Sequence, residues 1–550
     1  MKKVFKILIV VIVTSFILVS CSDVLNVNSD RVTFDKDYRM SSPNDTIYAM
    51  NGIFHQLQKV ADSYVLLGEL RGDLMDVTEN SNLNLREINN FEISKNNPYA
   101  NIGNYYSVIN NCNYVIQNLD TAYITKGQKV MYGYVAAVKS IRAWTYMQMA
   151  LNYGSVKYYE KAILTENDAQ SVNNYPDISF NELADKLIAD LTPWKDVTLP
   201  QSLTGNSFPI HFILGDLYLW KGDGYYDKAA TEYHDLMYNG YCRILMQYQS
   251  AWNLKNNVIS TSSGFTTNWI YSFTTNYAES ITQIQCPTTY GQKFDLDSLN
   301  YNSQLAPSAI AENNWDTQTY HNTALDYIPG DLRKYGSYID KNNVSINNNV
   351  ISAFFSTVTS ATTKNIIFKY LAYDQNVMVY RSSLLYLRYA EAVNRLGKPN
   401  LAFAVLKNGL RSATLSSPSI VPLNEKTTDN YMDFSDRRFD YNAGIRWRGQ
   451  GPKLKDTNST VISLNDCDST FVLKEQPSLN DSILYVEDLI QKELALETAF
   501  EGNRFQDLMR IAIHRNDNAY LANIVSSKYT NNKDAIKTKL MTRSNWYLQK

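Results

Sequence analysis

The sequence predicts a mainly α fold, a tetratricopeptide-like scaffold of helical hairpins carrying large loop-rich insertions that contain short β elements. Three observations predict it. Apolar residues recur at helical spacing through the first half of the chain, small residues stand where two helices must approach closely, and the long segments between them are rich in Ser, Thr, Asn and Gly.

The first element in chain order is not part of the fold. Lys2, Lys3 and Lys6 precede an unbroken, mostly apolar run from Ile7 to Val19, the pattern of a secretory signal. The run falls short of the roughly 20 apolar residues of a transmembrane helix. It ends in Leu18-Val19-Ser20-Cys21, a small-residue pattern of the lipobox type. Residues 1–20 are therefore read as a lipoprotein signal peptide, and Cys21 as the lipidated N-terminus of the mature chain. Two or more acyl chains anchor stably where one binds only marginally. Residues 21–43 hold the lipidated Cys and a polar stretch without helical periodicity, a flexible tether with a reach of roughly 25 Å. No later segment is apolar enough to cross a bilayer.

Residues 44–249 read as an N-terminal helical region. Between Gly127 and Asn152, Val130, Tyr134, Ala137, Ile141 and Trp144 trace one face of an amphipathic helix that stops at Gly154. A second helix runs from Phe180 to Leu191 and halts before Pro193. Leu214, Gly215, Tyr218, Ala229 and Tyr233 then fill the roles of the tetratricopeptide pattern around a turn at Gly222 to Gly224. Residues 378–415 repeat this build, with Ala390 and Ala392 before a Gly397-Lys398-Pro399 turn and Ala402 and Ala404 after it. Such units stack because each alone cannot cover its apolar face. Residues 250–377 and 416–477 are loop-rich insertions, and long ordered loops commonly carry binding function. Residues 478–550 form a C-terminal helical region.

Composition narrows the function. A formal net charge of −2 and a pI near 6.3, without basic clusters, lack the electrostatic footprint of a nucleic-acid binder. Besides Cys21 there are Cys112, Cys242, Cys286 and Cys467, with no C-x-x-C spacing, compatible with one or two disulfides or with free thiols. The 5 His residues show no H-E-x-x-H spacing, and neither G-x-S-x-G nor a Walker A loop occurs, so neither a catalytic centre, a metal site nor a cofactor is indicated. Asp295 and Asp297 resemble the start of a calcium loop but lack its Gly and terminal Glu, and read as loop acids. Arg71-Gly72-Asp73 reads as a local structural feature. The 41 Tyr, 8 Trp and 20 Phe, among many Asn residues, suit ligands that are half apolar and half hydroxyl or amide, namely sugars and peptides.

Near the C-terminus Glu493 to Arg510, ELALETAFEGNRFQDLMR, resembles the pattern E-R-x-x-E-L-A-F-E-G-x-R-x-x-D-L-x-R of the SusD/RagB family of outer-membrane nutrient-binding lipoproteins, with Leu494 in place of the usual Arg and Thr498 in place of an apolar residue. Tyr380 to Gly397, Arg411, Ile141-Arg142-Ala143-Trp144 through Tyr153-Gly154, and Trp546-Tyr547-Leu548 are similar to further family segments in the same order. The resemblance implies a non-catalytic protein on the outer face of the outer membrane. Its implied partners are a SusC-type TonB-dependent transporter, over which it acts as a hinged lid, and an oligosaccharide, or alternatively a peptide. A helical-repeat scaffold that binds protein alone is a third reading. Asn80, Asn82, Tyr99 and Asn101, then Tyr290, Trp315 and Tyr327, are the ligand-binding candidates.

The motif's Glu493, Glu497 and Glu501 recur at i, i+4 and i+8, where like charges repel unless compensated. They admit two readings: an acid/base pair for glycoside hydrolysis, or a structural ion-pair network, with Gly502, Arg504, Asp507 and Arg510 completing the motif and Arg504 and Arg510 as partners. The second is favoured, because Glu493 falls in the apolar stripe of Val486, Leu489, Leu496 and Phe500, and a buried carboxylate requires pairing or protonation.

Overall fold

A computed structural model describes residues 39–203, 205–244, 279–286, 294–322, 325–331, 333–339, 365–367, 369–370, 376–450 and 468–550. The signal peptide, Cys21, most of the tether, Tyr290 and Cys467 lie outside the described residues. Among the described residues no helix is long and apolar enough to cross a membrane.

The described body opens with α1 (Pro43–Glu69), started by Ser42, whose hydroxyl accepts from the Asp45 amide, and by a proline in the first turn. Strand β1 (Met75–Val77), α2 (Leu83–Asn89), α3 (Ile102–Asn118) and α4 (Met131–Tyr153) follow. The one-face reading of α4 is corrected: only Tyr132 and Lys139 of this helix are not buried, because α1, α3, α5 and α6 surround it. Its polar residues are matched internally, Arg142 donating to Asn113 Oδ1 and Asp190 Oδ2, each at 2.7 Å. The helix stops at Gly154, whose φ of +79° suits glycine. Strands β2 (Ser155–Lys157) and β3 (Asp177–Ser179) pair antiparallel ahead of α5 (Phe180–Leu191). A capping box starts α5, with Glu182 accepting from the Ser179 amide at 2.8 Å while the Ser179 hydroxyl accepts from the Glu182 amide.

Helices α6 (Ile210–Lys221) and α7 (Tyr226–Asn239) form the hairpin that the sequence pattern predicts. Gly215 is required there: an added Cβ would lie 2.4 Å from the Tyr233 ring. Tyr233 also donates to Asp216 at 2.6 Å, which ties the two helices by a buried hydrogen bond. Beyond them come β4 (Ser280–Gln285), α8 (Asp295–Tyr301), β5 (Leu305–Pro307), α9 (Ala309–Asp316), β6 (Thr319–Asn322), β7 (Leu325–Pro329), β8 (Tyr338–Ile339), β9 (Ile366–Ile367) and β10 (Asn376–Arg381). The strands form two-stranded antiparallel sheets, β1 with β5, β4 with β10, β6 with β7 and β8 with β9. The first insertion therefore holds short β elements, and helices besides. Asp295 and Asp297, read as loop acids, instead occupy the first turn of α8, where carboxylates favour the helix dipole.

The second hairpin is α10 (Ser382–Arg395) and α11 (Pro399–Lys407), turning at Gly397 with φ of +79°. After the second insertion, α12 (Leu479–Glu497), α13 (Arg504–His514), α14 (Asn518–Ser526) and α15 (Lys533–Leu540) complete the body. The C-terminus is sewn to the N-terminal half: buried Arg71 donates to the Trp546 carbonyl at 3.0 Å and to Asn152 Oδ1, and Asp73 accepts from Arg504 at 2.6 Å. The Arg71-Gly72-Asp73 tripeptide is thus part of the core. Cys112, Cys242 and Cys286 are buried free thiols.

Candidate functional site

The early and late candidate regions, some 200 residues apart in sequence, meet around α8. After the β1–β5 pairing, Thr78 Oγ1 donates to the Ser303 carbonyl at 2.6 Å, Ser81 Oγ donates to the Gln304 carbonyl, and the Asn82 amide donates to Gln304 Oε1 at 3.0 Å. At the other end of α8, Tyr99 donates to Asp295 Oδ2 at 3.1 Å. The Asp62 carboxylate, on α1, accepts from the amides of Asp295 and Leu296 at 3.0 Å each. It caps α8 from a distance, and burial pushes its pKa up to about 6. Residues 78–101 are thereby held against both ends of a helix about 10 Å long.

On this frame Asn80, Asn82 and Asn101 are exposed. Asn82 and Asn101 each use Oδ1 to cap a helix, accepting from Leu85 N at 3.1 Å and Gly103 N at 2.9 Å. Those bonds fix the amide planes and leave the Nδ2 hydrogens for a ligand, so less side-chain freedom is lost on binding. Two exposed apolar groups stand with them, Leu83 at 70% and Tyr301 at 39%. Sequence reasoning missed both, although Tyr301 sits in the Asn300-Tyr301-Asn302 cluster that composition alone marks.

Two candidates are buried. Trp315 is 0% exposed, donates to the Leu496 carbonyl at 3.2 Å and packs on Tyr338 and Phe500. Tyr99 is buried, its ring in the core. Both supply support, since a large ring gains more by filling a helix interface than by facing water. Tyr327 lies in β7, paired with β6.

The carboxylate series forms a buried network, and its cations are not those expected. Glu493 accepts from Arg333 at 2.5 Å. Glu497 accepts from Arg333 at 2.9 Å, Arg381 at 2.9 Å and Arg448 at 2.7 Å. Glu501 accepts from Arg381 at 2.8 Å and Lys369 at 2.6 Å. Arg504 pairs with Asp73 instead, and Arg510 with Glu391 at 2.6 Å and Asp507 at 3.0 Å. Burial would raise the pKa of Glu497, but the pull of Arg448, Arg381 and Arg333 outweighs it and holds the carboxyl well below its usual range. Burial prevails at Glu493 and raises it. Opposed shifts of two carboxyls are the mark of an acid/base pair, yet both are buried and bonded to guanidinium groups. Glu493 does border a cavity of about 770 Å³, but the wall's Asp73, Arg446 and Asp488 are likewise paired, with Arg504, Asp468 and Arg515.

Gly502 explains the glycine of the motif. Its φ is +90°, an added Cβ would lie 2.8 Å from the Tyr64 ring, and its amide donates to Glu69 at 2.8 Å. Of groups able to hold a metal ion, His211, Glu232 and Asp235 lie together. However, Glu232 already accepts from His211 Nδ1 at 2.6 Å and from Lys195 at 2.9 Å, a clamp between α6 and α7.

No family model and no curated protein matches this sequence. Solved structures do. A SusD superfamily protein of Bacteroides vulgatus aligns with a TM-score of 0.60 at 14% identity, over 94% of this chain and 96% of the other. A SusD-like carbohydrate-binding protein of Bacteroides fragilis gives 0.54 at 16% identity, over 86% and 87%. Surface glycan-binding protein A of Bacteroides fluxus gives 0.53 at 14% identity, over 90% and 94%. Helical hairpins, insertions and C-terminal helices thus combine, over nearly the whole chain, into the fold of the SusD superfamily.

Proposed function

We propose that this chain is a non-catalytic cell-surface lipoprotein, anchored to the outer membrane through Cys21, that captures an oligosaccharide and delivers it to a SusC-type TonB-dependent transporter as a hinged lid. The observation that carries the reading is the set of exposed asparagines around α8, Asn80, Asn82 and Asn101, the last two with their side-chain amides fixed, beside Leu83 and Tyr301. Amides of set orientation meet hydroxyl groups, and the apolar side chains meet the C–H faces of a sugar ring. The fold supports it, since neighbours of the same architecture include a carbohydrate-binding and a surface glycan-binding protein. The tether holds lid and barrel at high effective concentration, so reclosure is intramolecular. Closure is favoured only as far as ligand binds the closed state better than the open one.

The burial and pairing of Glu493 and Glu497 supports binding without turnover. Calorimetric titration of the purified protein against a panel of oligosaccharides and peptides tests the reading, with chromatography of the panel afterwards. Binding of one sugar class, with every ligand recovered intact, is the expected result. Binding of peptides alone, or new products, would overturn it. Cys21→Ala is expected to release the protein from the membrane fraction.

A further inference from the structure

Asp62, which caps α8 beside the candidate surface, is the last member of a stripe along α1. Ile47, Asn51, Phe54, Gln58 and Asp62 follow one another at intervals of four, three, four and four, one face of a helix. By helical rise the stripe extends about 22 Å. Its first four members wall a cavity of about 700 Å³, open to solvent, whose other side is β4 and the segment leading into α6. Gln58 Nε2 joins the two sides by donating to the Gln285 carbonyl at 2.7 Å, and within the far side the Gln283 amide donates to the Gly205 carbonyl at 2.8 Å. The cavity is preformed, with a volume in the range of small-molecule sites.

Its chemistry is selective. Among the described residues that line it are the amides of Asn51, Gln58, Asn206, Gln283 and Gln285, the hydroxyl of Ser202 and the imidazole of His55, and none is Asp, Glu, Lys or Arg. Apolar surface alternates with them, from Ile47, Phe54, Leu203 and Ile284. Among these described residues an ionised ligand group would be desolvated with no carboxylate, ammonium or guanidinium group to pair with, at a cost that neutral hydroxyl groups do not incur. The wall continues along one helix face to Asp62 and hence to α8, where Tyr99 and Asn101 stand.

We propose that this groove is a second subsite for a neutral oligosaccharide, occupied by the part of a chain that extends beyond the surface around α8. It rests on the glycan reading above and adds to it: the protein reads chain length and rejects acidic sugars. Neutral gluco-, manno- and xylo-oligosaccharides from disaccharide to octasaccharide, and oligogalacturonates of the same lengths, are titrated calorimetrically into the full-length protein. Two groove variants accompany it, Asn51→Trp, a ring on an exposed helix position that fills the groove, and Phe54→Ala. For the neutral series that binds, affinity is expected to rise about tenfold or more with length, ~1.4 kcal/mol by the relation between affinity and free energy. Asn51→Trp should abolish that rise while short-chain affinity and the melting temperature stay at wild-type values, and Phe54→Ala should reduce it. Oligogalacturonates should gain nothing with length. Length-independent binding of neutral sugars, or a length dependence untouched by Asn51→Trp, would overturn the subsite and leave the glycan reading standing. Failure of every sugar to bind would overturn the glycan reading itself.

Discussion

Replacing Glu497 with Gln is the sharpest test of the buried network. The side chain is 0% exposed and shared by three guanidinium groups, from Arg333, Arg381 and Arg448. Glu497→Gln keeps the volume but removes a negative charge that all three share, and points an NH₂ at a donor. Removing one partner of a buried ion pair costs about 3–5 kcal/mol. Three cations are affected at once, so a loss of about 4 kcal/mol is expected. Unfolding entropy of ~2.1 cal/mol/K per residue gives about 1 kcal/mol/K for a body of this size, hence a drop of about 4 °C in Tm. Urea unfolding followed by tryptophan fluorescence, with scanning calorimetry, reads the change as a lower midpoint at unchanged slope. The dependence on pH has a definite sign. The Glu497 pKa is depressed from 4.5 in the folded state, so its stabilisation is present above pH 4.5 and lost as pH falls through the folded value. The gap between variant and wild type should close only in strong acid. A catalytic carboxylate behaves otherwise, because active-site charge is commonly held against stability. A variant as stable as wild type, or more so, would refute the network reading.

Other outcomes follow from the same structure. Gly502→Ala places a Cβ against the Tyr64 ring at a φ of +90°, and chemical denaturation should show a loss of about 2–4 kcal/mol from overpacking and backbone strain; a loss near zero would contradict the close packing. Burial lowers the His514 pKa from 6.5 to about 4. The unfolded chain then binds the proton first, and wild type should lose about 3 kcal/mol between pH 6.5 and pH 4 that His514→Gln retains. Parallel stability curves for the two proteins would show that His514 titrates normally. Burial pushes the Cys112 and Cys242 thiols up to about 12, so iodoacetamide at pH 8 should label neither until the protein is unfolded; labelling in the native state would contradict their burial.

The parts of the fold that local chemistry dictates were legible. The α6–α7 hairpin was readable because Gly215 and Tyr233 are a packing pair at fixed spacing, and the end of α4 because Gly154 takes a positive φ. Burial of the Glu493, Glu497 and Glu501 series followed from an apolar stripe that includes Glu493. Their partners were not legible: Arg333, Lys369 and Arg381 stand 116 to 164 residues away, in or beside the first insertion, and Arg448 stands in the second. Nothing in local sequence distinguishes those cations from surface ones. The burial of Trp315 and Tyr99 was not legible for a related reason, since an aromatic outside a periodic helical stretch suits a ligand or a core equally. The α1 groove was invisible, because only the docking of β4 turns an ordinary helix face into one wall of a cavity.

The most direct test of ligand capture is hydrogen–deuterium exchange with and without the oligosaccharide that binds tightest. The account predicts that sugar slows exchange in residues 78–101 and 294–304, with little change in α12 and α13. Protection confined to α12, α13 and the Glu493 cavity, or no protection despite saturation, would contradict it.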